Sequence, residues 1–413
     1  LWRCVAVAVI VALAWPLVWW EDTVFGVPIR AMWPTLAALA IVFLTRRALL
    51  GLLLGAACGA VILEGGDPWG AYTSLFAEHL APSFNSAWKV GGLAFTLILG
   101  GFAAVLERGG GFTGLVDGFL RSAEDPRRGL QAGVFTLGLV CFFDGLANSM
   151  LVGRVSRELA DHHGLSRAKL SYIVDTTSAC VACLAFVSTW IAFQLGLIAG
   201  AFEAIGFEGS AYAFFFQSLQ ANYYCWFALF LLGVAIFRNF HPGPMRELEA
   251  RAEALRRGEP AAPSVVGEST LPQALTAFAP LAVLVFSLLA GIYLFGRAEV
   301  DTTGKGELAI FVDAFGSNAT PMVMTYASVL GTLVAFALFP RQRGGWAAAV
   351  SAFRDGAAAM VAPLSILVGA WLLGSTVSAL GTGGYLAALV GDNVALWLVP
   401  VLIFLLGAAI SFS

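Results

Sequence analysis

Cys141-Phe142-Phe143-Asp144-Gly145-Leu146-Ala147-Asn148-Ser149 and Tyr172-Ile173-Val174-Asp175-Thr176-Thr177-Ser178-Ala179-Cys180 each set one aspartate in hydrophobic sequence beside small polar residues. A carboxylate at the centre of a bilayer costs at least roughly 2.5–3.5 kcal/mol on the insertion scale. Such a group therefore faces a polar cavity and handles an ion, a proton or a solute. Most other charges in the chain fall between its hydrophobic segments. The two acids are the candidate centre of the molecule.

The bulk composition agrees that the surroundings are a membrane. Of 413 residues, 59% are hydrophobic and 12% charged, with a mean hydropathy of +0.84. Soluble domains carry ~25% charged residues, so the composition predicts an all-α polytopic membrane protein. The net charge of −3 argues against a nucleic-acid partner. Cys180 and Cys183 have CxxC spacing, but no second pair or nearby histidine completes a metal site, and they read as small helix-packing residues. The absence of HExxH, GxSxG or an intramembrane His–Asp pattern leaves an enzyme little support, and no cofactor is expected. Val5–Trp20 reads as a transmembrane helix rather than a signal peptide, with Trp19-Trp20 as an interfacial anchor.

Hydrophobic segments fall near 3–20, 31–45, 48–63, 90–107, 130–143, 169–200, 221–237, 273–295, 319–339, 358–380 and 393–413. Several are shorter than the ~20 residues of a perpendicular span, which predicts re-entrant hairpins and broken transmembrane helices. Basic residues orient them. Arg46-Arg47, the group Arg108 to Arg128, the arginines between 238 and 257, and Arg341 with Arg343 belong to the cytoplasmic side. Arg154, Arg157, Arg167 and Lys169 also belong there, yet one apolar stretch, 130–143, separates them from Arg128. A hairpin over 130–157 with Asp144 and Asn148 at its tip resolves this. Segment 169–200 is too long for one span and is expected to break at 175–178, where irregular backbone lines a cavity.

Three regions follow: an N-terminal transmembrane half over 1–238, a cytoplasmic linker over 239–271, and a C-terminal half over 272–413. The linker reads as a solvated tether whose short charged helix carries the i,i+4 pairs Glu247–Arg251 and Glu253–Arg257. Gly110-Gly111-Phe112-Thr113-Gly114-Leu115-Val116 resembles Gly383-Gly384-Tyr385-Leu386-Ala387-Ala388-Leu389-Val390, the first expected inside and the second outside, which predicts an inverted-repeat transporter. On that plan 393–413 is the entering arm of a second hairpin. Its tip falls at Ser411-Phe412-Ser413, and the chain is expected to be cut short there.

A sodium ion takes hard oxygens from carboxylates, hydroxyls, amides and freed backbone carbonyls. Asp144, Asn148, Ser149, Asp175, Thr176, Thr177 and Ser178 supply that inventory, with Na+ at Asp144 and Asp175 and weaker candidates at Ser411 and Ser413. A buried carboxylate takes either a proton or a cation, because each neutralises the same charge. Burial raises a carboxylate's pKa toward working pH and a bound cation lowers it. No basic residue lies within one helical turn of Asp175, which favours function over a structural pair. Asp144 is open to a second reading, as the N-cap of the returning arm.

The block from Phe142 through Asp144, Asn148, Gly153, Ser166-Arg167-Ala168-Lys169-Leu170, Tyr172-Ile173-Val174-Asp175 and Ser188-Thr189-Trp190 resembles the NhaC-type sodium/proton antiporters of the ion transporter superfamily. Weaker similarity covers most of the chain. The resemblance implies exchange of Na+ for H+ by alternating access in a multi-pass protein of the cell (inner or plasma) membrane, with Na+, H+ and lipid as partners and a homodimer as a candidate assembly. It adds Ser188 and Thr189 as weaker site residues, although hydroxyls bonding back to their own helix are the plainer reading. Two positions depart from the family: Gly145-Leu146 stands where members carry a second aspartate and an aromatic, and Cys180 where many carry proline. Loss of that carboxylate keeps an alternative open, a Na+- or H+-coupled transporter of a small organic anion or amino acid on the same fold.

Overall fold

A computed structural model describes residues 2–20, 23–24, 27–110, 120, 125–142, 145–185, 188, 190–191, 194–195, 198, 202, 207, 209, 211–241, 243–258, 271–317, 319–339, 343–384 and 395–412. Among the described residues the regular structure is helical apart from one antiparallel pairing of two residues each, Thr23–Val24 with Val27–Pro28. The helices are α1 (Trp2–Ala12), α2 (Ala14–Leu17), α3 (Ile29–Thr45), α4 (Ala48–Leu63), α5 (Pro68–Ser74), α6 (Ala81–Asn85), α7 (Ala87–Gly109), α8 (Pro126–Val140), α9 (Gly145–His162) and α10 (Arg167–Leu184). They continue as α11 (Ala211–Ser218), α12 (Tyr223–Phe237), α13 (Met245–Gly258), α14 (Leu271–Gly291), α15 (Glu307–Phe315), α16 (Thr320–Leu338), α17 (Gly345–Ala379) and α18 (Val399–Phe412).

Four helices among the described residues, Ala87–Gly109, Phe278–Gly296, Thr320–Leu338 and Gly345–Ala379, are long and apolar enough to cross a membrane. Two further pairs, Ala48–Leu63 with Pro68–Asn85 and Ala211–Ala221 with Tyr223–Phe237, are bent by 118° and 50° as broken spans or re-entrant loops, so the number is up to six if each pair is one span. Large apolar side chains such as Phe227, Phe230 and Phe286 stand outward, the pattern that a lipid solvent tolerates. This is an all-α polytopic membrane protein. Val5–Trp20 is not one span-length helix: α1 and α2 meet at Leu13, and together they form a shorter apolar helix, Trp2–Leu17.

The chain forms two compact units, residues 1–86 with 361–413, and residues 87–360. One boundary between them falls inside α17. Within the first unit α3 and α4 cross closely through small residues: a Cβ on Gly55 would lie 2.6 Å from that of Ala38. There a turn of π-helix, Leu75–Leu80, buries His79, whose Nδ1 is 2.9 Å from the Ser375 hydroxyl.

In the second unit α7 packs on α16, and α16 on α14, around Phe95, Leu99, Phe102, Leu284 and Leu288. Beside them lie α8, α9 and α10, each begun by a local signal. Asp125 caps α8, accepting from Arg127 N, with Pro126 at the first helical position. Ser166 caps α10, accepting from Lys169 N at 3.1 Å. Between them α8 and α9 form a helical hairpin, closed near its tip by Asn148 Nδ2 donating to Gly138 O at 2.8 Å.

The two ends of that hairpin converge on one carboxylate. Arg127, in the first turn of α8, pairs with Glu249 and Glu253 of α13. Ser166 N, just beyond α9, donates to Glu249 Oε1 at 2.9 Å. The linker's first half is therefore not a solvated tether. Met245, Glu249, Ala252 and Glu253 recur at helical spacing on one face of α13, and that face docks on α9 and α10 with Glu249 buried. The pair Glu247–Arg251 forms on the outer face, whereas Glu253 turns inward to Arg127. Lys169, one of the basic residues assigned to the cytoplasmic side, is fully buried and donates to Ala235 O and Phe240 O, at the carbonyl end of α12. Cations suit a helix C-terminus. Burial holds the His241 imidazolium below its usual pKa, and Lys169 and Arg127 add repulsion that Glu249 partly offsets.

Candidate cation site

Segment 141–144 joins the carbonyl end of α8 to the N–H end of α9. Helix ends carry unsatisfied backbone groups with partial charge, negative at the C-terminus and positive at the N-terminus. A hairpin tip thus offers carbonyl oxygens to a cation beside N–H groups that hold a carboxylate. Asp144 lies in this connection and, like Thr189 and Ser413, is outside the described residues.

Two polar side chains are brought together beneath the tip. Asn148 is buried, and while its amide nitrogen holds Gly138 O, its Oδ1 has no hydrogen bond among the described residues. A buried acceptor left this way costs ~1–3 kcal/mol. Gly138 is also the point where α10 approaches: a Cβ there would sit 2.3 Å from Thr177 Oγ1 and 2.6 Å from Thr177 Cβ. Only a bare Cα lets the Thr177 hydroxyl come up beside the Asn148–Gly138 bond. At the start of α9, Gly145 meets the carbonyl of Ser178 and the Trp190 indole.

The hydroxyls explain why the polar run does not break α10. Thr177 Oγ1 donates to Ile173 O at 2.8 Å, and Ser178 Oγ to Asp175 O at 3.0 Å. Serine and threonine satisfied on their own turn leave the helix intact. The expected break at 175–178 is therefore absent: α10 runs unbroken to Leu184, and the backbone turns extended at Ala185. Ser188 bridges that interruption, donating to Ala182 O at 2.7 Å and accepting from Ile191 N. Ser149 donates to Gly145 O in the same way. Each of these hydroxyl oxygens keeps lone pairs for a cation.

Asp175 is not placed with Asn148 and Thr177. At ~100° per residue, it stands about opposite Thr177 on α10, on an exposed stripe with Ser171 and Ala179, while Thr176, Thr177 and Ser178 are buried. Its electrostatic neighbours are Cys180 on the same helix and Tyr224 of α12, and no ion pair holds it among the described residues. A mid-helix carboxylate on such a face is tolerable against water and costly against lipid. Ser411 belongs to α18, a helix unbroken to Phe412, but its side chain is outside the description, as are residues 111–119 and 385–394, which hold most of the glycine-rich repeat. No group of three metal-ligating side chains occurs among the described residues.

The Gly138 contact yields a test. Gly138→Ala is expected to lower stability by ~1–3 kcal/mol through overpacking, read as a fall in the melting temperature of the detergent-solubilised protein. Gly153→Ala, in α9, meets its nearest neighbour only at 4.0 Å. It is expected to be neutral or to stabilise by about 0.5–1 kcal/mol, because glycine is a poor helix residue. Equal melting temperatures for both variants would contradict the close approach of α10 to α8.

Polytopic apolar helices with a buried amide oxygen and a mid-helix carboxylate, both without a partner among the described residues, are features of a membrane protein that handles a polar solute or ion. The sequence pattern of the Na+/H+ antiporter family matches residues 181–413, more than half of the chain, and the chain belongs to that family. The matched stretch begins after Asp144 and Asp175. An uncharacterized protein of Haemophilus influenzae is 26% identical over 404 residues, spanning 94% of this chain and 75% of the relative. No solved structure matches the chain.

Proposed function

We propose that the protein exchanges Na+ for H+ by alternating access, with cation and proton competing for the carboxylates of Asp144 and Asp175. The observation that carries the reading is Asp175, at the midpoint of α10 with no basic partner among the described residues. A charge in that position needs a neutralising species that comes and goes. Asp144 falls in the sequence between α8 and α9, and near the facing ends of those helices Asn148 Oδ1, with no hydrogen bond among the described residues, and the Thr177 hydroxyl supply hard oxygens, which supports coordination of Na+. Thr176, Ser178 and Ser149 complete the polar surface, and Ser188 serves the backbone interruption after α10.

The two acids then act on different faces of one assembly. Asp144 belongs to the tip, and Asp175 to the outward stripe of α10. Protonation of either carboxylate removes the charge that holds the cation, so one proton taken up means one cation released. Exchange rather than co-transport follows, because the two ligands neutralise the same group and cannot share it. The hairpin, tied at its base to α13, is the element whose movement would expose the tip to alternate sides of a cell membrane, and an inverted repeat supplies the second state.

Everted membrane vesicles test this. Addition of Na+ to vesicles holding a proton gradient is expected to dissipate the gradient in proportion to the protein present, and choline is expected to do nothing. Dissipation by small organic anions or amino acids, with no response to Na+ alone, would overturn the assignment in favour of a solute carrier.

A further inference from the structure

Exchange requires that protons reach the cation site from one side of the membrane. Four buried side-chain atoms that make no hydrogen bond among the described residues mark a path. They are Arg127 Nε and Gln131 Oε1 on α8, and Asn148 Oδ1 and Ser156 Oγ on α9. The positions are not scattered. Arg127, Gln131, Val134 and Gly138 follow one stripe of α8, and Asn148, Val152 and Ser156 follow one stripe of α9. The two helices run antiparallel with Asn148 level with Gly138, as their hydrogen bond requires. Gln131 lies seven residues back along α8 and Ser156 eight residues on along α9, so at 1.5 Å per residue both stand ~10–12 Å below the tip. Gln131 and Ser156 are each fully buried.

Gln131 already gives its amide hydrogen to Arg127 O at 3.3 Å, which leaves its oxygen as an acceptor. The Ser156 hydroxyl both donates and accepts. Buried polar atoms of this kind are ordinarily satisfied by internal water holding two to four polar partners. Below them the route opens on the charged base where Arg127, Glu249, Glu253 and Lys169 meet.

We propose that Gln131 and Ser156 form a hydrated way-station between α8 and α9, through which protons pass from the charged base to the Asn148 and Thr177 side chains at Gly138. The proposal rests on the exchange reading and names its proton route. No covalent step is involved: a proton hops along water held by the amide oxygen and the hydroxyl, and both side chains end as they began. Gln131 and Ser156 are positioning residues for that water.

Two measurements decide it, and the first needs no transport. In a background freed of the six native cysteines, Ser156→Cys is nearly isosteric. In everted vesicles it is expected to react with the small cationic 2-aminoethyl methanethiosulfonate at least about tenfold faster than a single cysteine retained at 141, also fully buried. Labelling no faster than at Cys141 would mean a dry interface and would overturn the route. The second is flux: Gln131→Leu is expected to lower Na+-driven proton movement about tenfold at saturating Na+, leave half-saturation within about twofold, and recover with Gln131→Glu. Wild-type flux in a folded Gln131→Leu would overturn the transport role even with Ser156→Cys labelled. If Gln131→Leu fails gel filtration, the Ser156→Cys labelling rate alone decides. A wild-type protein that shows no Na+-driven flux would defeat the exchange reading, while the labelling rate would still report the water.

Discussion

Asp175→Asn is expected to abolish Na+-dependent proton movement in everted vesicles while expression and melting temperature stay near wild type. The carboxylate stands exposed on α10, outside the packed interface that Thr176 and Thr177 occupy, and holds no ion pair among the described residues. Removing it therefore breaks no buried pair. Asparagine keeps the shape and one acceptor oxygen but cannot exchange a proton at any working pH. A cation that loses one of its two proposed carboxylate ligands and ~3 kcal/mol with it binds about two decades more weakly, and the proton that Asp175 exchanges is lost with the carboxylate. Fluorescence dequenching on Na+ addition is the readout. Wild-type rates in Asp175→Asn would sink the role given to this residue.

The largest expected effect on stability lies elsewhere, at Glu249. Its side chain is 3% exposed and pairs with Arg127, itself 14% exposed, while also accepting from Ser166 N. Removal of one partner from a buried ion pair typically costs 3–5 kcal/mol. Glu249→Leu is expected at about 3 kcal/mol, the low end, because Glu253 stays beside Arg127. Glu247→Ala, two residues away, loses only the exposed pair with Arg251, worth ~0.3–0.5 kcal/mol. The melting temperature of the solubilised protein should fall by several degrees for the first variant and hardly move for the second. Similar shifts in both would mean that α13 is an undocked tether after all.

The helices on either side of Asp144 could be anticipated from the sequence because helix starts and topology leave a chemical trace. Arginines flank both ends of one short apolar stretch, and Asp125-Pro126 and Ser166 are strong helix-start signals. The polar run after Asp175 misled because composition does not say where a hydroxyl sends its hydrogen. Thr177 and Ser178 bond to their own turn, so polarity at 175–178 is compatible with an unbroken helix. The interruption at Ala185 carries no glycine or proline to announce it. The docking of α13 was equally hidden. Its local pattern of alternating charges reads as a solvated helix, and the partner that buries Glu249 is Arg127, far away in the chain. Burial of Lys169 follows from the same long-range packing, with the carbonyl end of α12 as its acceptor. Asn148 was legible as a candidate from residue type alone, but its orphan oxygen and the role of Gly138 in admitting Thr177 needed the third dimension.

The central claim is competition of Na+ and H+ for the same carboxylates. Purified protein in weakly buffered detergent solution, mixed with NaCl in a stopped-flow cell carrying a pH indicator, tests it without any membrane. Proton release on Na+ addition is predicted, larger at a pH where the carboxylates start protonated, absent with choline chloride and absent in the Asp144→Asn, Asp175→Asn double variant. Saturable Na+ binding with no proton released at any pH would contradict the account.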